Sequence, residues 1–127
     1  MSAGRILVVD DEESIRSTLN DYFADFDYTV VTASDGEDAL KKFVPAGFDC
    51  IISDLSMPNI NGLELLKQIK RQDDNVPFIM ITGYPSGNSA VSAMEEGAYD
   101  YMAKPFHMED IRRKVESAIK TKKTKKS

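Results

Sequence analysis

Three aspartates, a threonine and a lysine stand at the ends of short apolar runs, and their types fit one reaction. Ile6-Leu7-Val8-Val9 leads into Asp10-Asp11, and Cys50-Ile51-Ile52-Ser53 into Asp54. Phe78-Ile79-Met80-Ile81 leads into Thr82, and Tyr101-Met102-Ala103 into Lys104. A carboxylate at the end of a buried strand is costly unless a cation or a reaction employs it. Asp10, Asp11 and Asp54 gathered in one crevice cannot all stay ionised without a counter-charge. A hard divalent cation answers that need, and magnesium takes a few carboxylates, water and a substrate phosphate. Lys104 adds a compact cation suited to a phosphoryl oxygen, and Thr82 adds a hydroxyl donor. Acids, metal, lysine and hydroxyl together make a phosphoryl-transfer site. With no other nucleophile at this edge, a carboxylate is the acceptor and an aspartyl-phosphate the product.

Taken singly, each residue has an ordinary reading. Asp10-Asp11 can begin a helix, Asp54 can cap a turn, Thr82 can simply end a strand, and Lys104 can be solvated. Only their convergence on one edge selects the chemistry. His107, the single histidine, reads as a surface or helix-capping residue, and a histidine-rich metal site is excluded. Neither a Walker A loop nor a G-x-G-x-x-G motif occurs.

Convergence requires the runs to be strands of one sheet. Their continuous apolar character predicts strands buried on both faces, over residues 6–9, 29–33, 50–53, 78–82 and 99–103. Helical spacing of apolar residues predicts helices over 12–26, 37–43, 62–72 and 108–119. Asn61 and Glu64 form a capping pattern for the helix over 62–72, the third of five along the chain. The fourth begins vaguely, because residues 83–88 are poor helix formers, and is firm only over 90–96, with Gly97 as its terminator. Strict alternation implies an α/β domain with a parallel sheet covered on both faces. The functional crevice of such a sheet lies at the carboxyl ends of its strands, where the five polar residues fall.

The chain has 127 residues, 42% hydrophobic and 29% charged, which suits one domain with a single core. No apolar run approaches the roughly 18 residues that span a bilayer. The first five residues lack the apolar stretch of a signal peptide. The lone Cys50 lies inside an apolar run and reads as core, in a reducing and therefore cytoplasmic setting. Net charge is −5, yet Lys120, Lys122, Lys123, Lys125 and Lys126 carry +5, so residues 1–119 carry −10. An acidic body argues against direct nucleic-acid binding. Residues 120–127 read as a basic tail or the start of a linker, after a domain of residues 1–119.

Val8-Val9-Asp10-Asp11-Glu12, Ser53-Asp54-Leu55-Ser56-Met57-Pro58, Ile81-Thr82-Gly83 and Lys104-Pro105-Phe106 resemble the receiver domain of two-component response regulators. The resemblance covers residues 5 to about 119 and looks most like receivers of enhancer-binding transcription activators. It implies a flavodoxin-like, doubly wound (βα)5 fold with strand order 2-1-3-4-5. It implies that Asp54 accepts a phosphoryl group from a sensor histidine kinase or phosphotransfer protein. Magnesium would be bound directly by Asp11 and Asp54, by the Ser56 backbone carbonyl, and by Asp10 mostly through water. Lys104 would pair with the phosphoryl group, Thr82 would swing toward it, Tyr101 would rotate inward in step, and Lys104-Pro105 would be cis. The module would catalyse only its own phosphorylation and dephosphorylation. A downstream effector or a covalently linked output domain would read the altered face of the fourth helix, fifth strand and last helix, with a phosphorylation-dependent homodimer as one outcome.

Two other functions compete. A magnesium-dependent aspartyl-phosphate phosphohydrolase would need a second acid two residues after the nucleophile, where Ser56 stands. A flavodoxin-like cofactor binder would need a neutral phosphate loop after the first strand, where Asp10-Asp11-Glu12 would repel a phosphate.

Overall fold

The computed structural model describes residues 3–126; Met1, Ser2 and Ser127, and the side chains of residues 123–126, lie outside that description. Among the described residues, strands and helices alternate as β1 (Gly4–Val9), α1 (Glu13–Ala24), β2 (Tyr28–Ala33), α2 (Gly36–Lys42), β3 (Cys50–Asp54), α3 (Gly62–Gln72), β4 (Phe78–Thr82), α4 (Gly87–Glu95), β5 (Asp100–Ala103) and α5 (Met108–Lys126). The strands form one sheet in the order β2-β1-β3-β4-β5, and every pairing is parallel. This is the doubly wound α/β fold that the alternation and the resemblance implied.

Strand side chains alternate between the two faces of a sheet, so a run without polar interruptions must be covered on both. Leu7, Val9, Ile51, Phe78 and Met80 meet Ala39 of α2, Leu65, Leu66 and Ile69 of α3, and Ala93 of α4. On the other face Ile6, Val8, Ile52, Ile79 and Ile81 meet Leu19 and Phe23 of α1 and Ile111, Val115 and Ala118 of α5. Cys50 belongs to this second cluster, and burial pushes its thiol up to about 12, so it is an inert core group.

Helix α3 shows how local signals and packing combine. Asn61 accepts a hydrogen bond from the Glu64 amide at 2.9 Å and so caps the first turn. Leu65, Leu66 and Ile69 are fully buried, each worth about 1.5–3 kcal/mol against exposure. Lys70 and Arg71 lie in the last turn, where cations suit the helix dipole.

The outer helix ends differ from the sequence pattern. Helix α4 begins at Gly87 rather than residue 90, because Ser86 is extended and its Oγ accepts from the Ser89 amide at 3.0 Å. Gly97 follows α4 at φ +101°, the conformation expected of a terminator. Helix α1 stops at Ala24, short of Phe26, with Asp27 at φ 67° turning the chain into β2. Helix α5, expected to end near residue 119, runs on to Lys126. Lysines are good helix formers and suit a helix C-terminus, and Lys122 is itself buried, donating to the Phe48 carbonyl at 2.9 Å.

Gly62 marks the tightest approach between a helix and the sheet edge. A Cβ there would lie 2.4 Å from the Asp54 carbonyl oxygen and 2.8 Å from the Leu55 Cα. In an open helix Gly→Ala gains about 0.5–1 kcal/mol, but here the obstructing atoms are backbone. Gly62→Ala is expected to lower the urea unfolding midpoint by the equivalent of about 1–3 kcal/mol. An unchanged or raised midpoint would contradict this close approach.

Candidate functional site

Backbone hydrogen bonds fix where each polar residue leaves the sheet. The Asp10 amide donates to the Ala33 carbonyl at 3.2 Å, Leu55 to Ile81 at 2.8 Å, and Lys104 to Thr82 at 2.7 Å. Asp10, Asp54, Thr82 and Lys104 therefore emerge side by side from the carboxyl ends of β1, β3, β4 and β5. Asp10 and Thr82 are fully buried and Asp54 is 5% exposed. The Ser53 hydroxyl donates to the Asp54 carbonyl at 3.0 Å, holding the end of β3.

Lys104 joins the acids. Its Nζ donates to Asp10 Oδ2 at 3.0 Å and to Asp54 Oδ2 at 3.4 Å, with Glu12 Oε1 at 3.8 Å. Asp10 Oδ1 accepts from the Glu12 amide at 2.9 Å, and Asp54 Oδ1 accepts from the Ser56 amide at 3.3 Å. Burial raises the Asp54 pKa above its ordinary value, and the charge of Asp10 raises it further, against the pull of Lys104. Burial also works against the Lys104 charge, but the bond to Asp10 and the charges of Asp10 and Asp54 outweigh it, so its pKa is raised.

The donor set suits a hard cation. Oxygens of Asp10, Asp11 and Glu12 all lie within 4.8 Å of one another, and one ammonium faces two buried carboxylates. Carboxylates without competing nitrogen or sulfur ligands fit magnesium. Asp54 lies outside the tight acidic group and reaches it through Lys104. Asp11 and the exposed Ser56 line one open cleft beside the site. In the sequence Glu12 reads as a helix start and as part of the Asp10-Asp11-Glu12 run, and not as a site residue; its position two residues after Asp10 is the available signal.

Thr82 and Tyr101 are both engaged away from Asp54. Thr82 Oγ1 accepts from the Tyr84 amide at 3.1 Å, so among the described residues its partner is the β4–α4 loop and not Asp54. Tyr101 is half-buried, and its hydroxyl accepts from the Ser86 amide at 3.4 Å and pairs with the Ser89 hydroxyl. Neither serine was a candidate from sequence, although the Ser86-x-x-Ser89 spacing is that of a helix cap. Lys104-Pro105 is cis, as the resemblance implied. His107 is exposed, and its carbonyl accepts from the Asp110 and Ile111 amides, so it begins α5 and stays apart from the chemistry.

The model of the response regulator receiver domain matches residues 6–116. The chain belongs to that family. It is 40% identical over 116 residues to the alkaline phosphatase synthesis transcriptional regulatory protein PhoP of Bacillus subtilis, covering 91% of this chain and 48% of PhoP. It is 39% identical over 119 residues to the DNA-binding transcriptional regulator NtrC of Escherichia coli, covering 94% of this chain and 25% of NtrC. The chain thus spans a quarter to about half of these relatives. A receiver domain protein from Clostridium thermocellum superposes with a TM-score of 0.89 at 30% identity, over 98% of both chains. Receivers are modules of phosphorylation-based signalling, and this chain carries one from β1 through α5.

Stability should reflect the crowded charge. Because the folded state raises the Asp54 pKa, ionising this acid costs the fold. That penalty is absent well below the usual carboxylate range, where the acid is neutral folded and unfolded, and is complete at neutral pH. In Asp54→Asn, Lys104 keeps its 3.0 Å bond to Asp10, so no buried charge is orphaned. Urea titrations in magnesium-free buffer at pH 7 should find Asp54→Asn more stable by on the order of 1 kcal/mol, an advantage shrinking on acidification. A variant less stable than wild type at pH 7, or an advantage growing with acid, would contradict this electrostatic account.

Proposed function

We propose that Asp54 is the phosphoryl acceptor of a signalling switch, supplied by a sensor histidine kinase or phosphotransfer protein. The observation that carries this reading is the Lys104 ammonium bridging Asp10 and Asp54 at 3.0 and 3.4 Å on the carboxyl edge of the sheet. An Asp54 carboxylate oxygen attacks the phosphorus, the phosphorus–nitrogen bond to the donor histidine breaks, and its electron pair stays with the imidazole. Lys104 then turns from the carboxylate to the phosphoryl oxygens. When bound by the Asp11 and Asp54 carboxylates and the Ser56 backbone carbonyl, with Asp10 acting through water, magnesium supplies charge neutralisation for those oxygens.

The acceptor's new charge recruits the Thr82 hydroxyl, which must give up the Tyr84 amide to reach it. Residues 83–88 are exposed and inexpensive to rearrange, and the motion passes to α4 and Tyr101. The face of α4, β5 and α5 is the one read by a partner. Tyr84, Val91 and Met94, at and on α4, expose 84%, 56% and 49% of their surface, apolar area that suits docking by an effector, an output domain or a second copy. The chain acts on itself and turns over no external substrate. The named relatives are transcriptional regulators of which this chain spans about half and a quarter, and in a protein built as they are, DNA binding would fall to a segment other than the receiver domain. Among the described residues no helix is long and apolar enough to cross a membrane, and a cytoplasmic setting fits a kinase partner and a reduced Cys50.

The direct test is covalent. With magnesium and a small acyl-phosphate donor, the intact mass should rise by one phosphoryl group. Asp54→Asn should remove the label, and Lys104→Ala should slow its appearance at least tenfold, the scale of losing one charge-stabilising contact. Equal labelling of wild type and Asp54→Asn would remove the assignment.

A further inference from the structure

The Ser86–Ser89 pair does more than cap α4. Three hydroxyls and two amides meet there, and one assignment uses every proton once. The Ser89 amide donates to Ser86 Oγ at 3.0 Å, and the Ser86 hydroxyl returns a bond to Ser89 Oγ at 3.0 Å. Ser89 Oγ–H donates to the Ser86 carbonyl at 3.2 Å. That leaves the second lone pair of Ser89 Oγ for the Tyr101 hydroxyl proton, while the Tyr101 oxygen accepts from the Ser86 amide at 3.4 Å. Ser89 is then saturated, with two bonds accepted and one donated. A plain helix cap needs only the Ser86 Oγ bond; the bonds to Tyr101 tie the first turn of α4 to β5, across twelve residues of chain.

This knot sits at the far end of the segment that Thr82 must move. Thr82 is bonded to the Tyr84 amide, and only Gly83, Tyr84 and Pro85 separate it from Ser86. All three are exposed, and nothing lies within 4 Å of where a Gly83 side chain would begin. The segment is thus held at its two ends, at Thr82 and at the serines, and hardly between them. Pro85 has no amide hydrogen to offer, which leaves the Ser86 amide as the first donor after Tyr84 available to grip Tyr101.

The geometry points to Ser89 as a positioning residue whose hydroxyl latches Tyr101 to α4 and holds the switch in its unphosphorylated arrangement. This deepens the Asp54 reading and rests on it: Thr82 reaches a phosphoryl group only when the loop yields, and the latch resists that yielding. Of the three bonds of Ser89 Oγ, two stay within the first turn of α4 and only the half-buried one to Tyr101 joins α4 to β5; losing that bond should raise the population of the yielding conformer about fivefold. Labelling that proceeds through that conformer should accelerate by the same factor.

Ser89→Ala separates the latch from the cap, because the Ser89 amide can still donate to Ser86 Oγ. Two readouts on the whole chain test it. With an acyl-phosphate donor below saturation, Ser89→Ala should be labelled at Asp54 about fivefold faster than wild type, and Ser89→Thr, which keeps the hydroxyl, should return to the wild-type rate. Without any donor, the ring-carbon signal of Tyr101 next to its hydroxyl and the amides of Gly83 and Tyr84 should shift in Ser89→Ala and not in Ser89→Thr. A Ser89→Ala rate equal to wild type overturns the latch whatever the ring signal does. If no variant is labelled at all, the Asp54 reading fails, and the donor-free signals decide the latch alone: unmoved, they overturn it.

Discussion

The structure depends on one ammonium placed between two buried carboxylates. Lys104 stands 3.0 Å from fully buried Asp10 and 3.4 Å from nearly buried Asp54 at adjacent strand ends, and its charge offsets part of the cost of burying both. Alone, either carboxylate would be expensive to bury, and together they would repel at close range. The lysine holds them but does not balance them, since two acids face one base, with exposed Asp11 and Glu12 close by. Burial, and then the charge of Asp10, raise the Asp54 pKa, and the residual negative charge is of the kind that suits a hard cation.

The rest of the chain exists to keep those strand ends in register. Parallel pairing places Asp54 opposite Ile81 and Thr82 opposite Ala103, so the functional residues stand in a row only while the sheet is intact. Two apolar clusters, one on each face, make the sheet rigid. The packing is thinnest between β4 and β5. Beyond Thr82 the chain runs through exposed residues to a helix with Ala93 as its buried residue. A stiff sheet carrying charge to a weakly held helix is an arrangement in which a local electrostatic event can move a distant surface.

What could be read from the residues divides by physical cause. The apolar runs and the helical stripe of Leu66 and Ile69 declared strands and a helix because burial on both faces leaves no polar interruption. Asp10, Asp54, Thr82 and Lys104 were legible as a group because the alternation forces strand ends to one edge. Periodicity carries no information about where a helix frays, and the ends of α1, α4 and α5 were set instead by Asp27 at positive φ, by the Ser86 cap and by the Lys122 bond to Phe48. The Ser89–Tyr101 contact joins residues twelve apart, from the first turn of α4 to β5, and only the folded geometry brings it into view. Strand order came from family likeness, since alternation alone permits several orders.

The central claim is that charge added at Asp54 is felt at α4 and β5 and does not stay in the crevice. Amide hydrogen exchange of the whole chain, with and without magnesium and a beryllium fluoride mimic of the phosphoryl group, measures this directly. Protection changes should spread through residues 82–106, beyond the residues that touch the mimic. Changes confined to residues 10–12 and 54–58 would contradict it, leaving a domain that binds a phosphoryl group and transmits nothing.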